Sequence, residues 1–156
     1  MSTKPSLTIK RRFNAPPAKV FRAWTDPAAI KRWFVHHANV HWERDPTVDL
    51  FVNGTFQWSV ISDATPAQPF AFHGSFLTIA PPNALAFTWE WQLLPIEGVN
   101  GAGNTLVTIE LVQKGAVTDL ALTQRGLPSE AARVAHERGW ARCFDGIQLL
   151  LEQEAQ

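Results

Sequence analysis

Three of the five histidines, His36, His37 and His41, fall within six residues, and Glu43, Asp45 and Asp49 follow closely. Imidazoles and carboxylates at that density could ligate a metal ion. Their spacing fits no zinc pattern, and the stretch reads as a loop entering a strand. Exposed loop histidines are the favoured account, and no metal is expected. Cys143 could act as a nucleophile only with a base beside it. It adjoins Phe144 on an apolar helix with no basic partner evident, and reads as a buried structural thiol. His136 carries more weight, because it precedes Trp140 by one helical turn and could hydrogen-bond a ligand or relay a proton. A histidine satisfied by a carbonyl or carboxylate near the helix start is the other, favoured, account. Asp49 divides similarly between an ion pair with Arg12 or another base and the acid of a cavity. Glu90 lies between Trp89 and Trp91, so strand alternation sends it to the opposite face and into solvent. No Gly-x-Ser-x-Gly elbow, phosphate loop or dinucleotide fingerprint occurs, so no catalytic residue is nominated and no cofactor is expected.

The elements that must position these groups follow from periodicity. Leu7–Phe13 alternates as a strand, with Leu7, Ile9, Arg11 and Phe13 on one face. Pro16-Pro17 opens a helix through Trp24; Asp26 then caps a second short helix, with Pro27 in its first position, ending near Trp33-Phe34. Val48–Val52 and Phe56–Ser62 flank Asn53-Gly54, the sequence signal of a tight hairpin. Strands over Phe70–Ile79 and Leu85–Gln92 follow. A Gly- and Asn-rich loop, Gly98–Asn104, leads to Leu106–Gln113 and Val117–Gln124. After Pro128, Ser129 caps a helix to about Gln153, with Trp140, Phe144, Ile147 and Leu151 as its apolar stripe. Gly139 inside that helix costs about 1 kcal/mol relative to Ala and marks a bend or a close approach, either of which could open a space beneath. The expected fold is α+β: a curved antiparallel sheet of six or seven strands wrapped around a long C-terminal helix, with two short helices after the first strand. This is a helix-grip arrangement, in which a wide wrap around one helix leaves room for a cavity.

The 156 residues suffice for one domain, 1–156, and a single core. A lone cysteine excludes an intramolecular disulfide. No apolar run reaches the length of a membrane span, and the N-terminal residues offer no signal-peptide core. A cytoplasmic location is expected. The net charge is zero, yet residues 1–44 hold nine of the 14 basic residues and only two acidic ones, Asp26 and Glu43. The basic residues are spread over a strand and two helices, so mutual neutralisation of the two halves is favoured over nucleic-acid binding. Seven Trp and ten Phe exceed what a compact core needs and suit an apolar cavity wall.

Arg12-Phe13-Asn14-Ala15-Pro16, Val20–Pro27, Trp33-Phe34, Gly74-Ser75-Phe76, Phe87-Thr88-Trp89 and His136-Glu137-Arg138-Gly139-Trp140 together resemble a known family. It is the activator of heat-shock protein 90 ATPase homologue-like family, within the START-like (SRPBCC) helix-grip superfamily. The resemblance covers roughly residues 7–152. It implies the fold closely and the function loosely, because the superfamily hosts lipid carriers, cyclases, receptors and chaperone partners. One departure stands out: where the family has Asp-x-Arg-x-Gly-Gly, this chain has Asp49-Leu50-Phe51-Val52-Asn53-Gly54. The Arg is replaced by Phe51, and this face should be more apolar.

Three functions compete. The leading expectation is a domain binding a hydrophobic or lipid-like small molecule in an internal cavity walled by Trp33, Asp49, Trp58, Phe72, Phe76, Trp89, Trp91, His136, Trp140 and Phe144. The resemblance alone implies the second, a module that modulates a chaperone ATPase. The third is a cyclase- or hydratase-like enzyme using His136 or Asp49 as general acid or base. A homodimer is left open. Neither nucleic acid nor a membrane span is expected.

Overall fold

The computed structural model describes residues 4–35, 39–92 and 104–155. The chain runs β1 (Ser6–Phe13), α1 (Pro17–Thr25), α2 (Pro27–Trp33), β2 (Val40–Trp42), β3 (Thr47–Val48), β4 (Thr55–Ser62), β5 (Phe70–Ala80), β6 (Ala84–Gln92), β7 (Thr105–Lys114), β8 (Val117–Arg125) and α3 (Glu130–Glu154). All pairings are antiparallel, in the order β1-β8-β7-β6-β5-β4-β2, with β3 also paired to β4. The sheet is curved and unclosed, and α3 packs against β1, α1 and α2. The architecture is the expected helix grip, with eight strands where six or seven were expected. Two of the eight, β2 and β3, have only three and two residues, too few to show alternation in sequence.

Local chemistry explains the boundaries. The Asp26 carboxylate accepts the Ala28 amide at 3.0 Å and Pro27 occupies the first turn of α2. The Ser129 hydroxyl accepts the Ala132 amide at 3.1 Å and starts α3. Both caps satisfy amides that have no partner within their helix.

The expected tight hairpin at Asn53-Gly54 takes another form. The ladder ends at Val48 opposite Phe56, with one further bond from Asp49 N–H to the Thr55 carbonyl, so Leu50–Val52 form a wider turn rather than the end of a strand. Gly54 donates to the Phe51 carbonyl, and the loop hooks onto β5 through Asn53 N–H to Phe76 O and Phe76 N–H to Gly54 O. Asn53 adopts φ 70°. A side chain at Gly54 would strike the Asp49 carbonyl, so only glycine fits there. Leu50, Phe51 and Val52 are 42%, 60% and 55% exposed. Phe51 therefore points into solvent.

The core lies between the inner face of the sheet and α3. Strand alternation buries Phe56, Trp58 and Val60 on β4, Phe70, Phe72 and Phe76 on β5, and Leu85, Phe87, Trp89 and Trp91 on β6. Trp140, Phe144, Ile147 and Leu151 of α3 face them. The two charge-biased halves meet in ion pairs: Arg11–Asp145 at 2.9 Å, Arg12–Asp119 at 2.7 Å, Arg22–Glu154 at 2.7 Å and Lys31–Asp45 at 2.6 Å.

A candidate ligand cavity between the sheet and the last helix

One cavity of about 310 Å³ opens beside α3. The helix contributes Ala135, His136, Gly139, Trp140, Arg142 and Cys143; β4 and β5 contribute Val60, Ser62, Phe70 and Phe72. Trp89 lines it from β6, Val40 from β2, and Phe34 from the turn that ends α2. Gly139 makes room for the space. A methyl group built on it would meet nothing within 4 Å, so the helix carries an unfavourable residue where the cavity begins and not where another segment approaches.

The aromatic wall is continuous with the core. Trp89 stacks on Phe72 at 4.7 Å between centroids with rings 21° apart, and tilts against Trp140 at 4.9 Å. Phe34 meets Phe72 at 5.6 Å and Trp58 at 4.8 Å. Such edge and stacked contacts fix the positions of the rings that line the space.

The polar groups beneath this wall are engaged with one another. Trp140 donates its indole N–H to Gln124 Oε1 at 2.8 Å; Gln124 Nε2 donates to Thr105 Oγ1 at 3.0 Å; Thr105 donates to the Trp89 carbonyl at 2.6 Å. Gln124 and Thr105 are fully buried. His136 belongs to a second set. Its Nδ1 lies 2.8 Å from the Ala132 carbonyl and its Nε2 3.2 Å from the Trp89 indole nitrogen. A carbonyl only accepts and an indole N–H only donates, so the imidazole is the neutral Nδ1–H tautomer. Burial pushes its pKa below the usual histidine value, against a smaller opposing effect of the Ala132 carbonyl. Trp91 covers the ring at 4.4 Å.

Of the ten wall residues expected from sequence, Phe72, Trp89, His136 and Trp140 line the cavity. Trp33 and Trp58 stand behind Phe34, and Trp91 behind His136. Phe76 packs deeper with Phe56 and Phe87, and Phe144 with Phe13 and Trp24. Asp49 lies exposed on the loop after β3, outside the lining, and Arg12 pairs with Asp119 instead. Neither His136, engaged at both nitrogens, nor Asp49 presents a free acid or base to the space. Cys143 is buried and lines the cavity, with its thiol held strongly toward the protonated form by burial. Glu90 is on the outer face, 3.2 Å from His73. His36 and His37 lie outside the described residues; His41 is exposed, 3.5 Å from Asp63. Among the described residues no three His, Cys, Asp or Glu gather as metal ligands, and no helix is long and apolar enough to cross a membrane.

Phe34, Val40, Val60, Ser62, Phe70, Ala135, Gly139, Arg142 and Cys143 complete the wall and are not singled out for it by the sequence. Only Gly139 carried a signal, as a glycine inside a helical pattern.

The comparisons with known proteins bear on fold more than on chemistry. A family model described as Activator of Hsp90 ATPase homolog 1-like protein matches residues 14–152. No curated protein matches the sequence. Among solved structures, a protein from Chromobacterium violaceum is 24% identical, covers 94% of this chain and 96% of its own, and superposes with TM-score 0.80. An uncharacterised protein from Rhizobium leguminosarum is 25% identical over 96% of this chain and 95% of its own, with TM-score 0.79. A Plasmodium falciparum protein described as an HSP90 activator is 22% identical over 94% of this chain and 96% of its own, with TM-score 0.70.

Proposed function

This chain belongs to the Activator of Hsp90 ATPase homolog 1-like family, and we propose that it works as a small-molecule binding domain, holding an apolar ligand between the sheet and α3. The observation that carries the reading is the cavity at Gly139: about 310 Å³ of space walled by Phe72, Trp89 and Trp140, with no Cβ contact to justify the glycine. That volume sits at the small end of ligand sites and suits a one- or two-ring body rather than a two-chain lipid. Affinity would come from burying apolar area, at about 25 cal/mol per Å² before the costs of association. The reading treats residues 1–156 as one domain and places it in the cytoplasm, where a free thiol such as Cys143 stays reduced.

The test is a fluorescence titration with the neutral probe N-phenyl-1-naphthylamine. Wild-type protein should bind it with a blue shift and quench tryptophan emission, since two indoles form the wall. Gly139→Leu, whose Cβ meets no atom within 4 Å and whose longer side chain would occupy the space, should stay folded and lose binding. A wild-type protein that ignores the probe, or a Gly139→Leu variant that binds it unchanged, would overturn the reading.

Family membership favours a second reading, contact with a chaperone ATPase, in which the cavity is incidental.

A further inference from the structure

The wall of the cavity is not electrically neutral in what it offers. The polar side chains that line it are Ser62, His136, Arg142 and Cys143, together with the indole N–H groups of Trp89 and Trp140. Both indoles donate inward, to His136 and to Gln124. Both imidazole nitrogens are engaged, so His136 has no acceptor left. Cys143 is a neutral, buried thiol. Ser62 accepts the Ala64 amide at 3.2 Å and keeps its own O–H to give. Arg142 is exposed at the opening and, among the described residues, makes no ion pair or hydrogen bond; Arg125 and Arg138 are equally unpaired, but of the three only Arg142 lines the cavity. The side-chain groups left for a ligand are donors, and one of them is a cation. Three carboxylates adjoin lining residues in sequence and none is among the lining: Asp63 lies beside His41, Glu90 beside His73, and Glu137 pairs with Arg133.

We propose that the cavity is selective for a small carboxylate, aromatic or short-chain, whose hydrocarbon body lies against Phe72, Trp89 and Trp140 and whose anionic head is met by Arg142 at the opening. The proposal rests on the cavity being a binding site and specifies the chemistry of its occupant. A neutral ligand would gain the apolar burial and leave the guanidinium unpaired. A planar carboxylate matches the fork of the guanidinium and can form two charge-assisted hydrogen bonds with it.

Displacement of N-phenyl-1-naphthylamine by 2-naphthoate and by 2-naphthamide separates charge from shape, since the two differ little except in charge. Wild-type protein should prefer the acid by roughly tenfold or more at low salt, and the preference should shrink as salt rises. Arg142→Gln should abolish the preference, so that acid and amide displace the probe equally. Because Arg142 is exposed and unpaired, its thermal unfolding should match wild type, and Arg142→Lys should retain part of the preference. Equal binding of acid and amide, or a preference that survives Arg142→Gln, overturns the anion proposal and leaves the cavity reading in place. A wild-type protein that binds neither compound nor the probe overturns both.

Discussion

At the scale of single residues, the tryptophans look interchangeable in sequence and are not in structure. Trp140 and Trp58 are both buried aromatic bodies. The Trp140 indole donates to Gln124, whose amide in turn donates to Thr105, so the indole closes a satisfied polar chain in the core. The Trp58 indole N–H is buried with no hydrogen-bond partner among the described residues, packed among Phe34, Trp33 and Phe56. Replacing either by Phe removes similar volume. Only Trp140→Phe strands a buried acceptor, Gln124 Oε1, and a stranded buried group costs about 1–3 kcal/mol. Chemical denaturation should therefore find Trp140→Phe less stable than Trp58→Phe by about that amount. In the double variant Trp140→Phe/Gln124→Leu part of the loss should return, because the stranded acceptor is gone. Equal stabilities for the two single variants would show that the Trp140–Gln124 bond contributes nothing net.

At the scale of elements, α3 was the most legible part of the chain and Gly139 its least obvious residue. The stripe of Trp140, Phe144, Ile147 and Leu151, the Ser129 cap and the alternating strands β5 to β8 announce themselves because each is long enough to repeat its period. Strands of two and three residues cannot do so, and the 49–54 turn is set by a long-range hook onto Phe76 that no local pattern encodes. The same distinction governs the site. Trp89, Phe72, His136 and Trp140 are legible as aromatic or titratable groups on strongly periodic elements. Phe34, Val40, Ser62 and Phe70 sit at the ends of elements, and only tertiary pairing, such as Val40 opposite Ser62, brings them together. A helix carrying Gly at an unobstructed position has forgone stability that Ala would provide. Gly139→Ala should thus raise the thermal midpoint, by an amount corresponding to no more than about 1 kcal/mol, while weakening binding of N-phenyl-1-naphthylamine by narrowing the cavity. A lower midpoint would mean that the helix needs the glycine for its own geometry and that the space beside it is secondary.

At the scale of the whole molecule, the charge asymmetry of the sequence is spent largely inside the fold. Arg11 and Arg22 bind the chain's last helix at Asp145 and Glu154, Arg12 binds Asp119 of β8, and Lys31 binds Asp45. Exposed pairs of this kind add little stability each, yet they remove most of the basic footprint of β1, α1 and α2 that an acidic partner would need. Arg32 is likewise committed, to Gln153. Lys10 and Lys19 remain without an ion pair among the described residues, and they are the cations on which the chaperone reading must rely. If the protein stimulates a heat-shock protein 90 ATPase, the effect should fall between low and moderate salt, and the Lys10→Glu/Lys19→Glu variant should lose it while keeping its fold. A rate change insensitive to both salt and these two substitutions would move the contact elsewhere, with the exposed apolar turn at Leu50–Val52 the next surface to substitute. No rate change at either salt would remove the chaperone reading and leave the cavity as the functional feature of the fold.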